Sequence, residues 1–137
     1  MKEKFQVIKT IHLSLVLGVV LAYFFIGDLQ SLNFLNFDEI DSSNFIFLLI
    51  PVAAIVLGNY LYKDMMRKVD ETLKNEEKIG TYQTASLVRW AILEGAAFFI
   101  LFSKAELILF GLLLIIYMLF LRPSENKMIT DFKRFEI

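Results

Sequence analysis

The sequence has no cysteine, a single histidine and only two prolines among its 137 residues. Without cysteine there is no disulfide framework and no thiolate metal site, and His12 cannot build a multi-histidine metal centre alone. An excess of one charge is also missing, because 14 Lys and Arg nearly balance 15 Asp and Glu. The net charge of -1 gives no case for nucleic-acid binding. We therefore expect no metal, no cofactor and no nucleic-acid partner.

Known catalytic motifs are missing as well. The chain contains no glycine-rich phosphate loop, no HExxH, no GxSxG and no pair of intramembrane aspartates. A nucleophile with a histidine base could involve only His12, and no serine has a distinctive context. The sequence therefore predicts a protein that is not an enzyme.

Apolar residues are abundant and occur in blocks. They make up 57% of the chain, which has a mean hydropathy of +0.59, whereas a soluble domain is roughly 45–50% apolar. A membrane-spanning helix needs about 20 mostly apolar residues, and four blocks meet or approach that length, at about 5–26, 44–62, 84–102 and 105–121. The pattern predicts a single-domain, all-α membrane protein with four transmembrane helices in an antiparallel bundle, embedded in a lipid bilayer.

Lysine and arginine are concentrated in every second connecting segment, and this distribution predicts the orientation of the chain in the membrane. Residues 27–43 contain neither, whereas the first residues, the segment 63–78 and the tail after 121 each contain several, although acidic residues balance them in 63–78. By the positive-inside rule, both termini and the middle loop should be cytosolic. The middle loop has no Gly or Pro, so we expect span two to continue into the cytosol as a helix that ends near Gly80.

The tail at 124–137 follows Pro123, which stops the fourth span. Apolar side chains recur there at helical spacing, at Met128, Ile129, Phe132 and Phe135. This spacing favours a short amphipathic helix lying along the inner leaflet. A frayed, solvated tail is the alternative, and the pattern does not separate the two.

The third block, "LVRWAILEGAAFFILF", places two ionisable residues, Arg89 and Glu94, in a stretch that should lie in lipid. Such groups face the bundle interior, since each costs several kcal/mol in hydrocarbon. At about 100° per residue they are roughly 140° apart, so each needs another partner. Counting depth at about 1.5 Å per residue predicts an intramembrane polar cluster, made of Glu94, Arg89, His12, Pro51, Asn59 and Tyr117.

Within this cluster, Glu94 lies near the midplane at the level of Pro51 and of two glycines, Gly18 and Gly111. Pro51 leaves a backbone carbonyl free, so a small polar cavity with a hydrogen bond from Glu94 to a carbonyl near Pro51 is expected. The alternative is purely structural: small residues four apart commonly mean close helix packing, and the polar groups would then be interhelical bonds.

The stretches "RWAILEGAAFF" and "YMLFLRPSENKMITDF" resemble a family of small four-span bacterial membrane proteins with no known activity. The likeness is strongest over residues 82–132 and implies a bacterial inner (cytoplasmic) membrane location. The matching positions are Arg89, Glu94, Gly95, Arg122, Pro123, Lys127 and Asp131. "LEGAA" is also similar to the carboxylate helix of rotary-ATPase proteolipid subunits, but their glycine-rich partner helix is missing here.

Two functions remain open. The first is a non-enzymatic accessory or scaffold subunit of a membrane complex, which would bind other membrane subunits or further copies of itself. The second is a component that conducts or transports protons or a small cation through the mid-membrane carboxylate of Glu94.

Overall fold

The computed structural model describes residues 2–26, 49–70, 72–103 and 108–134. Within these ranges there are five helices and no strand, which confirms the predicted all-α class. The helices are α1 (Lys2–Ile26), α2 (Leu49–Arg67), α3 (Asn75–Ser103), α4 (Ile108–Phe120) and α5 (Glu125–Arg134). Parts of three predicted segments lie outside the described residues, namely 44–48 of span two, 105–107 of span four and 135–137 of the tail.

Contacts of α1 give the relative directions of three helices. The ring of His12 lies 4.8 Å from that of Trp90, and the hydroxyl of Tyr23 donates to the carbonyl of Ala97. The contact that comes later along α1 also comes later along α3, so the two helices run in the same direction. The order is reversed on α4, because His12 contacts Met118 near its end and Tyr23 lies against its beginning.

Helix α2 runs against α3 and packs on it closely. Gly58 lies beside Arg89, whereas Tyr62, further along α2, contacts the ring of Tyr82, which comes earlier on α3. The four long helices therefore alternate in direction. Residues 68–70 and 72–74 and helix α5 lie at one end of this bundle, together with the beginning of α1.

Two helical stretches, Glu3–Ile26 and Glu76–Phe102, are long and apolar enough to cross a membrane. A third would qualify only if α4 and α5 formed one span broken by a bend of 95°. Large apolar side chains cover the outer faces of the bundle, among them Leu13, Phe25, Val56, Phe99 and Phe120. Their exposure fits a bundle that is surrounded by lipid.

The predicted continuation of span two as a helix to Gly80 is wrong. Helix α2 ends at Arg67, and Gly80 lies inside α3. The chain turns at Asp70, whose Oδ1 accepts hydrogen bonds from the backbone N–H and the hydroxyl of Thr72, at 3.0 and 2.8 Å. Aspartate side chains compete in this way with helical hydrogen bonds. The helix-forming residues from Asn75 onward therefore begin α3 instead.

The tail forms the short amphipathic helix that was one of its two expectations, but the apolar face of this helix, α5, packs on the bundle. Its first turn is capped by the hydroxyl of Ser124, which accepts from the backbone N–H of Lys127 at 3.1 Å. Its apolar side chains Met128 and Phe132 are buried, and α5 packs against α2 and α3. The ammonium of Lys78 on α3 lies 5.3 Å from the ring of Phe132. The apolar face of the tail therefore covers the end of the bundle, and neither lipid nor solvent takes that place.

Candidate functional site

A polar cavity of about 470 Å³ lies at the end of the bundle that carries α5. Helices α2, α3, α4 and α5 all contribute to it. Its lining residues are Asn59, Tyr62, Lys63, Arg89, Tyr117, Asp131 and Arg134. This set is called the Arg89 cavity below.

Arg89 enters the cavity across the surface of α2. Its aliphatic stem passes over Gly58, where an added methyl group would come within 3.4 Å of the Arg89 Cγ. Its guanidinium carbon lies 3.7 Å from the centre of the Tyr62 ring, a cation–π arrangement. Nη1 donates to the side-chain oxygen of Asn59 at 3.4 Å. A small residue at Gly58 therefore lets a long cationic side chain lie between two helices.

The guanidinium is incompletely satisfied. Its Nε is buried and has no hydrogen-bond partner. No carboxylate of the described residues lies within ion-pair distance of Arg89. Placing a cation away from water without a counterion is unfavourable. The cavity thus holds a positive charge that the described part of the chain does not neutralise.

Two further hydrogen bonds connect the helices around the cavity. The amide nitrogen of Asn59 donates to the hydroxyl of Tyr117 at 2.8 Å, joining α2 to α4. The hydroxyl of Tyr62 donates to a carboxylate oxygen of Asp131 at 2.6 Å, joining α2 to α5. Buried polar groups connected in this way fix the arrangement of the elements that carry them. The cavity walls are therefore held by bonds between four helices.

The structure brings three residues of the predicted cluster into this cavity, namely Asn59, Arg89 and Tyr117. His12 lies apart from them. Its Nε2 donates to the carbonyl of Met118 at 2.8 Å, one of the last carbonyls of α4, which helical bonds do not fully satisfy. His12 therefore binds the end of α4 while its ring packs on Trp90.

Glu94 and Pro51 are outside the cavity. Arg89 faces α2, and Glu94 lies about 140° further round α3, so its carboxyl points away from the helix that carries Pro51. Glu94 is partly exposed, and it makes no hydrogen bond or ion pair in the described part of the chain. The structure thus does not contain the expected bond to a carbonyl near Pro51, as far as the described residues extend.

The space beside Gly111, one of the glycines expected at the polar cavity of the midplane, is occupied by an aromatic side chain. A methyl group added at Gly111 would overlap the ring and hydroxyl of Tyr23. That hydroxyl donates to the carbonyl of Ala97. The space that Gly111 leaves open is therefore filled by an aromatic side chain of α1, which sequence reasoning did not place there.

Four lining residues were not predicted as part of a polar cluster, namely Tyr62, Lys63, Asp131 and Arg134. For Tyr62 and Lys63 a signal existed, because they follow Asn59 by three and four residues and so share its helix face. Asp131 was among the positions that carry the family resemblance. No signal in the sequence indicated that α5 would turn back and bring Asp131 and Arg134 to the bundle.

No family profile, characterised protein or solved structure matches this chain significantly. The resemblance to a bacterial four-span family therefore stays a prediction. Arguments about function rest on the geometry alone.

Proposed function

We propose that this chain is a non-enzymatic, multi-pass membrane protein that serves as an accessory or scaffold subunit of a larger membrane complex. In this proposal four helices span the bacterial inner membrane, and the end with α5 faces the cytosol. Lysine and arginine in residues 63–78 and in the tail support that orientation.

The proposal rests on the composition of the outward surface of α3 around Glu94. Ala91 and Gly95 are exposed there, and nothing lies within 4 Å of a methyl group added at Gly95. Small residues four apart on an exposed membrane helix allow another helix to approach closely. The carboxyl of Glu94, which has no partner in the described part of the chain, lies beside them, and a polar group in lipid is stabilised by a partner on a neighbouring helix. We call Ala91, Glu94 and Gly95 the α3 surface.

The chemistry of this surface favours a separate subunit over a second copy. In a two-fold dimer built on α3, each residue near the axis meets its own equivalent, so the Glu94 carboxyls would face each other. A different helix can instead present a cationic or hydrogen-bond-donating side chain to Glu94. We therefore propose an apolar helix with such a donor near its middle as the occupant.

Purification from native membranes in a mild detergent tests the subunit role. The wild-type chain should retain a stoichiometric partner, and Gly95→Leu should lose it because the added side chain fills the contact surface. Gly18→Leu is the matched control, since Gly18 also has open space around its Cα but no carboxyl beside it. A wild-type chain that purifies alone, or equal retention by both variants, would contradict the proposal.

Conduction of protons or a small cation is the second candidate, and the same carboxyl favours it. Burial favours the neutral form of a carboxyl, so a proton could be carried at this position. Flux measured in proteoliposomes separates the two functions. The transport function requires flux that Glu94→Gln abolishes; the subunit function predicts none.

A further inference from the structure

The Arg89 cavity contains a cationic group that suits an anion. Arg89 lines the cavity beside the carboxylate of Asp131, whereas Lys63 and Arg134, which also line it, have partners of their own. Asp131 already accepts a hydrogen bond from Tyr62. Arg89 has a buried Nε without a partner and no carboxylate nearby in the described chain. A guanidinium matches the geometry of a phosphate, to which it can donate two parallel hydrogen bonds.

In the orientation proposed above, on which this inference rests, the cavity lies at the depth of the lipid headgroups. Tyr117 is near the end of α4, the last strongly apolar helix, and Asp131 belongs to α5, which turns away by 95°. Lys127 marks the same level, because its ammonium donates to the carbonyls of Phe120 and Arg122 at 3.0 and 2.8 Å. Tyrosine and basic side chains characteristically gather at this interface.

Apolar side chains continue from the cavity towards the middle of the bundle. Val56 lies three residues before Asn59 on α2, and Leu113 lies four residues before Tyr117 on α4. Each therefore shares a helix face with a lining residue and lies one turn deeper in the bundle than that residue. Both are more than half exposed, at 63% and 54%. An acyl chain attached to a phosphate in the cavity would lie along these side chains.

We propose that the Arg89 cavity binds a phosphate group, and that its source is the headgroup of an anionic membrane lipid. Arg89 supplies the contact with the phosphate. This site is separate from the α3 surface, so either proposal can fail while the other stands.

Lipid binding to the purified full-length chain tests this proposal. Native mass spectrometry would measure retention of phosphatidylglycerol and of phosphatidylcholine, and the emission of Trp90, the single tryptophan, would report melting. Phosphatidylglycerol should be retained in preference and should raise the melting temperature. Arg89→Gln should weaken its binding about tenfold or more, since hydrogen bonds between charged groups are the strong ones.

Arg67→Gln is the matched control, because Arg67 is a basic residue of α2 that pairs with Asp64 at 3.2 Å and does not line the cavity. It should keep phosphatidylglycerol affinity within about twofold. If Arg89→Gln does not fold, Arg134→Gln on the exposed side of α5 replaces it and should also weaken binding. Equal retention of both lipids would refute the anionic lipid as the source, and an equal loss in Arg67→Gln would overturn the proposal.

Inorganic phosphate without added lipid separates the two sources. If phosphate raises the melting temperature of the wild type but not of Arg89→Gln, and neither lipid is preferred, the phosphate site stands and the lipid source is refuted. If neither phosphate nor phosphatidylglycerol binds, the whole proposal is refuted.

Discussion

The guanidinium of Arg89 lies over the ring of Tyr62 at 3.7 Å, while the hydroxyl of the same tyrosine binds Asp131 at 2.6 Å. One side chain of α2 therefore holds both a cation from α3 and an anion from α5. The ring keeps the opposite charges of Arg89 and Asp131 apart, and no ion pair joins them. The cavity is consequently left with an available cation.

Variants of Tyr62 should separate these two contacts. Tyr62→Phe keeps the stacking and loses the bond to Asp131, so we expect it to lower the free energy of unfolding by about 1–3 kcal/mol. Tyr62→Ala also removes a buried ring and should lower it by about 3–5 kcal/mol. Thermal or denaturant unfolding followed by Trp90 emission measures both. Tyr60→Phe, at a side chain that is 63% exposed, should have no effect; equal losses at Tyr60 and Tyr62 would refute the role of the bond.

Glycine substitutions should differ sharply between α4 and α1. Gly111→Ala forces a methyl group into Tyr23 and displaces its bond to Ala97, so we expect a loss of about 1–3 kcal/mol in the free energy of unfolding. Gly18→Ala meets open space and should be neutral or stabilising by up to about 1 kcal/mol. The same unfolding assay compares them. Equal stability of the two variants would show that Tyr23 does not fill the space at Gly111.

The turn between α2 and α3 should depend on pH through Asp70. The Thr72 backbone N–H that donates to its carboxylate holds the pKa of Asp70 below its ordinary value. The contribution to stability is therefore complete above the ordinary pKa and is lost as pH falls through the lowered one. Carbon NMR of the labelled carboxyl gives this pKa directly, and Asp70→Asn identifies its signal. Titration at or above the ordinary value would contradict the turn.

The proposed orientation can be tested with single cysteines, because the natural chain has none. The side chain of Lys68 is 72% exposed, so Lys68→Cys should react with a membrane-impermeant maleimide only after the inner membrane is opened. Ser42→Cys, in the segment predicted to face outward, should react in cells whose outer membrane alone is permeable. Reversed labelling would overturn the inward placement of α5.

The sequence predicted the buried side of α3 well, because a helical projection requires only local geometry. The projection at about 100° per residue puts Trp90, Leu93 and Ala97 on the same side as Arg89, and all three are buried. Arg89 was recognised as a member of a polar cluster because a cation in an apolar block needs a partner. The projection could not identify that partner, because its identity depends on the orientation of the neighbouring helices about their axes.

Features that depend on long-range packing were missed. The bend of 95° before α5 brings Asp131 to Tyr62, and composition alone does not fix the direction in which a short amphipathic helix turns. A local feature was missed as well, because the bonds from Thr72 to Asp70 overrode a run of helix-forming residues. Local propensity is a weak prior when a side chain can compete for the backbone.

The central claim is that the α3 surface contacts a separate membrane subunit. Ala91→Cys, labelled in native membranes with a maleimide that carries a short photoreactive group and then illuminated, tests it most directly, with Leu113→Cys on the exposed face of α4 as the control. We predict one discrete product from Ala91→Cys that contains this chain and a different membrane protein, and no such product from Leu113→Cys. No product, the same product from both positions, or a product made only of this chain would contradict the claim.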